Sequence, residues 1–157
     1  MSEGTIFFYL IIYLITIFGI FTVILNLRSS EGELTKISEL NGLRFSSRSK
    51  SIAMLVFLFS LAGIPPFAGF FAKFFILSAS INEGLYVLSI IAVISSVIAA
   101  FYYLSVIKNM FFNNKEEELL LDNNKIGSVI FISSALILTL FFFYPDPLIN
   151  LVDGLFS

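Results

Sequence analysis

The sequence predicts an all-α integral membrane protein of four transmembrane helices, the second of them discontinuous. Three observations lead there. The 157 residues are 58% hydrophobic and only 13% charged, with a mean hydropathy of +0.98, whereas soluble domains are roughly 45–50% apolar. The apolar residues fall into four blocks, at about 5–27, 51–81, 85–112 and 126–144, each long enough for the ~20 residues that cross a bilayer core. The second block is interrupted by "GIPPFAGFFAKFF", residues 63–75, which sets two adjacent prolines, two glycines and a lysine inside an apolar run.

The first block has only Glu3 ahead of it as a charge, no basic leader and no small-residue cleavage site behind it. It therefore reads as a retained helix, not as a signal peptide or an Arg-rich import presequence. A polar loop covers 28–50. The second block, 31 residues from Ser51 to Ile81, would extend ~46 Å as one helix, well beyond a hydrocarbon core of ~30 Å. Pro65 and Pro66 lack amide hydrogens and disfavour helix in the residue before them, while Gly63 and Gly69 permit unusual torsions and close approach. Two half-helices, about 51–62 and 68–81, are expected, joined by an unwound or kinked bridge. A proline kink packed against neighbouring helices is the plainer form of the same break. A tight turn at Asn82–Gly84 leads to the third span, a charged loop at 113–125 to the fourth, and a short tail starts at Pro145. No soluble domain fits between these pieces and no clear repeat relates them, so 1–157 is expected to form a single membrane domain.

Four spans place 28–50 and 113–125 on one face and the two termini with 82–84 on the other. Arg28, Lys36, Arg44, Arg48, Lys50, Lys108, Lys115 and Lys125 lie on or beside the first face, and no basic residue lies on the second. The positive-inside rule then makes the first face cytoplasmic or matrix-side, with both termini outward. Tyr9, Tyr86 and Tyr144 fall near the outer interface, where amphipathic rings are favoured.

The ninth basic residue, Lys73, has no loop to sit in. A lysine at the centre of a span costs roughly 2.5–3.5 kcal/mol on insertion scales, and cations so placed commonly serve transport. Desolvation favours a neutral amine and a nearby carboxylate or water favours an ammonium, so modest changes in surroundings can load or unload one proton. Lys73 is thus a candidate proton relay. The static alternative pairs it with carbonyls freed around Gly63–Pro66 or with a partner's carboxylate. Ser60, Ser78, Ser80, Ser95, Ser96, Tyr102 and Tyr103 could carry ordered water, although serine also serves close helix packing. Lys108, near the inner end of the third span, is either a relay exit or a snorkelling cation.

Other chemistry is poorly supplied. With neither Cys nor His, the usual ligands for iron–sulfur clusters, haem and zinc are missing, so redox chemistry is expected in other chains. The net charge of −2 gives no sign of nucleic-acid binding, and the run Glu116–Glu118 reads as a wet loop. Membrane lipids and other membrane helices are the expected partners.

Residues 58–112, "LFSLAGIPPFAGFFAKFFILSASINEGLYVLSIIAVISSVIAAFYYLSVIKNMFF", strongly resemble the C-terminal region of the subunit 2 type of NADH dehydrogenase, an antiporter-like proton-pumping membrane subunit of respiratory complex I. The flanking "YLIIYLITIFGIFTVILNLR", "ELNGL" and "YPDPLINLV" fit the order of that family. The resemblance implies helices eleven to fourteen of a fourteen-helix subunit built as an inverted repeat, with a broken helix twelve whose central lysine matches Lys73. It also implies that NADH, flavin, iron–sulfur clusters and quinone belong to other subunits, and that this chain works in a proton-translocating NADH:ubiquinone reductase without a redox centre of its own.

The D-type member of the multisubunit cation/proton antiporters has a similar Pro-Pro segment followed by Lys, and is the alternative family assignment. A structural membrane scaffold is the alternative of another class. The family's first repeat, with its own broken helix, lysine and Glu–Lys pair, has no counterpart here. A split gene is therefore expected, with a companion chain carrying the earlier helices beside other membrane-arm subunits. A split gene together with the Phe-, Ile- and Asn-rich composition suggests an AT-rich mitochondrial genome, so the mitochondrial inner membrane is expected, a bacterial plasma membrane being the alternative.

Overall fold

The computed structural model describes residues 3–28, 36–114, 120–121, 124–141 and 143–144. The elements in chain order are α1 (Glu3–Leu25), β1 (Leu27–Arg28), a 3₁₀ turn (Ile37–Leu40), α2 (Leu43–Ser46), α3 (Arg48–Ala62), α4 (Ala68–Asn82), α5 (Tyr86–Phe112), β2 (Leu120–Leu121) and α6 (Lys125–Leu140). The sequence-predicted loop residues Lys115 and Glu116–Glu118, and the tail from Pro145, lie outside the described residues.

Among the described residues two helices are long and apolar enough to cross a membrane, α1 with 23 residues and α5 with 27. At ~1.5 Å per residue they reach about 35 and 40 Å. No proline interrupts either, and α5 also lacks glycine, so nothing in the backbone opposes a continuous helix. The helices α3 and α4 have 15 residues each and α6 has 16, each shorter than a ~30 Å core requires. The fourth block stops being helical at Leu140, ahead of the expected residue 144. Pro145 disfavours helix in the residue before it, and Phe143 and Tyr144 instead donate back to the Leu140 carbonyl at 2.9 and 3.0 Å.

Helix α1 is the centre of the bundle, packed against α3, α4 and α6, while α5 lies outside against α3 and, less extensively, α4. The close approach of α1 and α3 depends on Gly19, whose absent side chain leaves room for the ring of Phe57. That ring is completely buried. At the opposite end Phe8 meets Phe141 at 5.4 Å and Phe75 at 5.9 Å, and Phe71 meets Phe141 at 5.7 Å. These edge-on and tilted contacts tie α1, α4 and the end of α6 together.

The connecting segments converge at the other end. The antiparallel pairs Leu27 with Leu121 and Arg28 with Leu120 hold the segments after α1 and after α5 side by side. Lys50, grouped by the sequence with the loop cations, is instead 95% buried. Helix α3 starts at Arg48 and is capped by Ser47, so Lys50 lies in its first turn. Its ammonium donates to the Asn26 carbonyl at 2.6 Å, where the C-terminal end of α1 offers unpaired carbonyls and a negative dipole.

Candidate functional site

The break between α3 and α4 follows from four residues. Gly63 takes φ +78°, a left-handed conformation that ends helices. Ile64 then donates to the Phe59 carbonyl at 3.0 Å and Gly63 to the Ser60 carbonyl at 3.1 Å, the paired bonds of a Schellman motif. Pro65 and Pro66 follow, exposed, with a cis peptide between them. Helix resumes at Ala68, where the capping position is held by Phe67, which has no capping side chain. Ser60 fills that role from the other half-helix: its hydroxyl accepts the Gly69 amide hydrogen at 3.1 Å. A side chain on Gly69 would collide with the carbonyl and hydroxyl of Ser60, so only glycine allows this joint.

The Schellman bonds take up the Phe59 and Ser60 carbonyls and leave that of Leu61. Lys73, one turn and a half into α4, folds back across the break and donates to Leu61 O at 2.7 Å. Its aliphatic stem lies on Gly63, where a Cβ would stand 3.1 Å from Lys73 Cδ. Gly63 therefore both ends α3 and makes room for the lysine. The pairing places an ammonium at the negative end of a helix dipole, and a hydrogen bond to a charged group contributes about 1.5–3 kcal/mol. That is the same order as the cost of an intramembrane lysine.

Beside Lys73 lies a cavity of about 310 Å³, room for on the order of ten waters. Ser60, Leu61, Gly69, Ala72 and Lys73 form one wall, Tyr9, Ile12, Tyr13 and Thr16 of α1 a second, and Ala92, Ser95, Ser96, Ala99 and Tyr103 of α5 a third. The rings of Tyr9 and Tyr13 stack at 6.2 Å. Among the described residues no carboxylate lines this cavity.

Of the sequence-predicted residues, Lys73, Ser60, Gly69, Ser95, Ser96 and Tyr103 share the cavity wall, and Gly63 supports it from behind the lysine. Pro65 and Pro66 lie in the break. Tyr102 points away, 64% exposed, its ring against Phe101. Lys108 is exposed and lies off the cavity. Ser80 donates to its own helix at Ile76 O and Ser78 is absent from the lining. Sequence reasoning missed the α1 wall: Tyr9 reads as an interface anchor, and Tyr13 and Thr16 draw no notice. Their spacing of i, i+4 and i+7 on an apolar helix is the signal that finds them, because it sets one polar stripe.

Residues 1–99 match the family model described as "NADH:quinone oxidoreductase/Mrp antiporter, TM". Over 90 residues, 57% of its length, the chain is 47% identical to NADH-quinone oxidoreductase subunit N of Rhodospirillum rubrum. Over 96 residues, 61% of its length, it is 43% identical to the subunit N of Paraburkholderia phymatum. The chain spans about a fifth of these relatives, 18% and 20% of their lengths. Its fold matches a chain of respiratory complex I from Thermus thermophilus with bound Aureothin, with a TM-score of 0.82 at 23% identity, covering 95% of this chain and 34% of that one.

Proposed function

The chain belongs to the NADH:quinone oxidoreductase/Mrp antiporter transmembrane family, and from that premise we propose that it is the C-terminal part of a proton-translocating membrane-arm subunit of respiratory complex I, with Lys73 as its proton-exchanging group. In this reading α1, α3 with α4, α5 and α6 are four spans, and the basic end faces the cytoplasm or matrix. The membrane is the mitochondrial inner membrane or, the relatives being bacterial, a bacterial plasma membrane. The subunit N relatives favour complex I over a cation/proton antiporter. The part by which those relatives exceed this chain, whether on the same or on a companion polypeptide, packs on the cavity side of α1 and α5, beside other membrane-arm subunits. NADH, flavin, iron–sulfur clusters and quinone are assigned to other subunits.

The observation that carries the proposal is Lys73 on the wall of a cavity whose mostly apolar lining also includes Tyr9, Tyr13, Tyr103, Ser95 and Ser96. A path across ~30 Å of hydrocarbon needs several exchanging groups or continuous water, and this cavity offers both an amine and room for water. The bond from Lys73 to Leu61 O favours a second reading, a scaffold subunit whose lysine is a static clamp on the helix break. A map of the assembly that resolves water separates them. Ordered water leading from Lys73 to Tyr103 or to groups on other helices is the expected result, and a dry cavity with the ammonium held only by Leu61 O would favour the scaffold.

A further inference from the structure

At the basic end, residues 36–48 leave the bundle and lie across the end of α5. One side of this segment is anchored: Leu40 and Leu43 are 8% and 0% exposed, the Gly42 amide donates to the Asn109 carbonyl at 3.1 Å, and Asn41 Oδ1 accepts from Asn113 at 3.3 Å. The other side presents Ile37, 56% exposed, and Phe45, 61% exposed, together with the exposed Arg44 and Arg48. The Arg44 guanidinium lies 4.4 Å above the Phe45 ring. Among the described residues neither guanidinium has a carboxylate partner. Glu39, the described carboxylate of this segment, turns back to accept the Lys36 amide hydrogen at 3.1 Å.

We propose that this surface seats the phosphate headgroup of an anionic phospholipid from the adjoining leaflet. Apolar side chains on an interfacial element bury about 5–10 Å into the boundary between headgroups and acyl chains, which is where Ile37 and Phe45 stand out from the bundle. Arg44 and Arg48 then meet the phosphate layer, where each basic residue attracts anionic lipid. The Phe45 ring beneath the Arg44 guanidinium restrains where that charge lies. Charge complementarity selects an anionic lipid over a zwitterionic one. On the four-span reading above this end of the bundle lies at a leaflet boundary, and exposed apolar side chains beside guanidiniums match the acyl and phosphate parts of one lipid together, which a purely acidic protein surface does not.

The test uses membranes carrying the full chain, into which phosphatidylglycerol or phosphatidylcholine with a photoreactive group near the headgroup is introduced before illumination and peptide mapping. Labelling of the peptides covering 37–48 by the phosphatidylglycerol probe should exceed that by the phosphatidylcholine probe, and high salt should reduce the excess. Arg44→Gln and Arg48→Gln should each reduce it about fivefold, while the Arg44→Lys/Arg48→Lys variant, which keeps both charges, should retain most of it. Equal labelling by both probes, an excess unchanged in the glutamine variants, or crosslinks from Arg44 and Arg48 to another protein's carboxylates would overturn the proposal.

Discussion

The Gly69 amide donates to the Ser60 hydroxyl across the helix break at 3.1 Å, so a side chain on α3 caps the N-terminus of α4. The joint fixes where α4 begins and therefore where Lys73 lies relative to the Leu61 carbonyl. Gly69→Ala should separate the half-helices, at a cost of about 1–3 kcal/mol typical of overpacking. Ser60→Ala should cost about 1 kcal/mol, the loss of one cap. Thermal unfolding of the chain in its native membranes checks the order, and a Gly69→Ala protein as stable as the parent would refute the joint.

Lys50 and Asn26 form a second clamp, at the other end of α3. Lys50→Met keeps the length of the side chain but removes the ammonium from a buried carbonyl, and should cost on the order of 1.5–3 kcal/mol. Because Lys50 is absent from the cavity lining, protons moved per electron pair should be unchanged in whatever assembles. A changed ratio at normal stability would put Lys50 in the proton path.

If the cavity works by holding water, filling it should stop transport. Ala99→Leu, from the α5 wall, adds apolar volume where water would stand, so proton movement should fall severalfold while the protein still assembles. A static Lys73 predicts no such fall. Normal pumping in a well-assembled Ala99→Leu protein argues against a wet path on this side.

Orientation is open to chemical labelling. Lys36 and Lys125 are exposed at the same end as the β1–β2 pair, and a membrane-impermeant amine reagent should reach them only after mitoplasts or spheroplasts are permeabilised. Labelling in intact preparations would reverse the assigned sides.

The helix break is legible in the sequence because Gly63, Pro65 and Pro66 act locally, through torsion and missing donors. Lys73 is equally conspicuous, since an apolar run offers a cation no trivial place. The α1 wall of the cavity is harder to read. The stripe of Tyr9, Tyr13 and Thr16 follows from helical spacing, but its facing Lys73 depends on how α1 crosses α4, which is set by contacts such as Phe8 with Phe75. Lys50 looks like a loop charge until the Ser47 cap starts α3 ahead of it. Ser60 looks like packing or water path, and its capping role appears only once Gly69 is seen to let the backbones touch.

The most direct measurement is the number of protons moved per NADH oxidised in sealed membranes carrying Lys73→Met or Lys73→Arg. Methionine keeps length and apolar packing without a titratable amine, and arginine keeps the charge but does not release its proton near neutral pH. Both variants are expected to assemble, with electron transfer retained and the proton ratio lowered. Unchanged proton ratios in both would contradict the relay and leave Lys73 as a clamp on the Leu61 carbonyl.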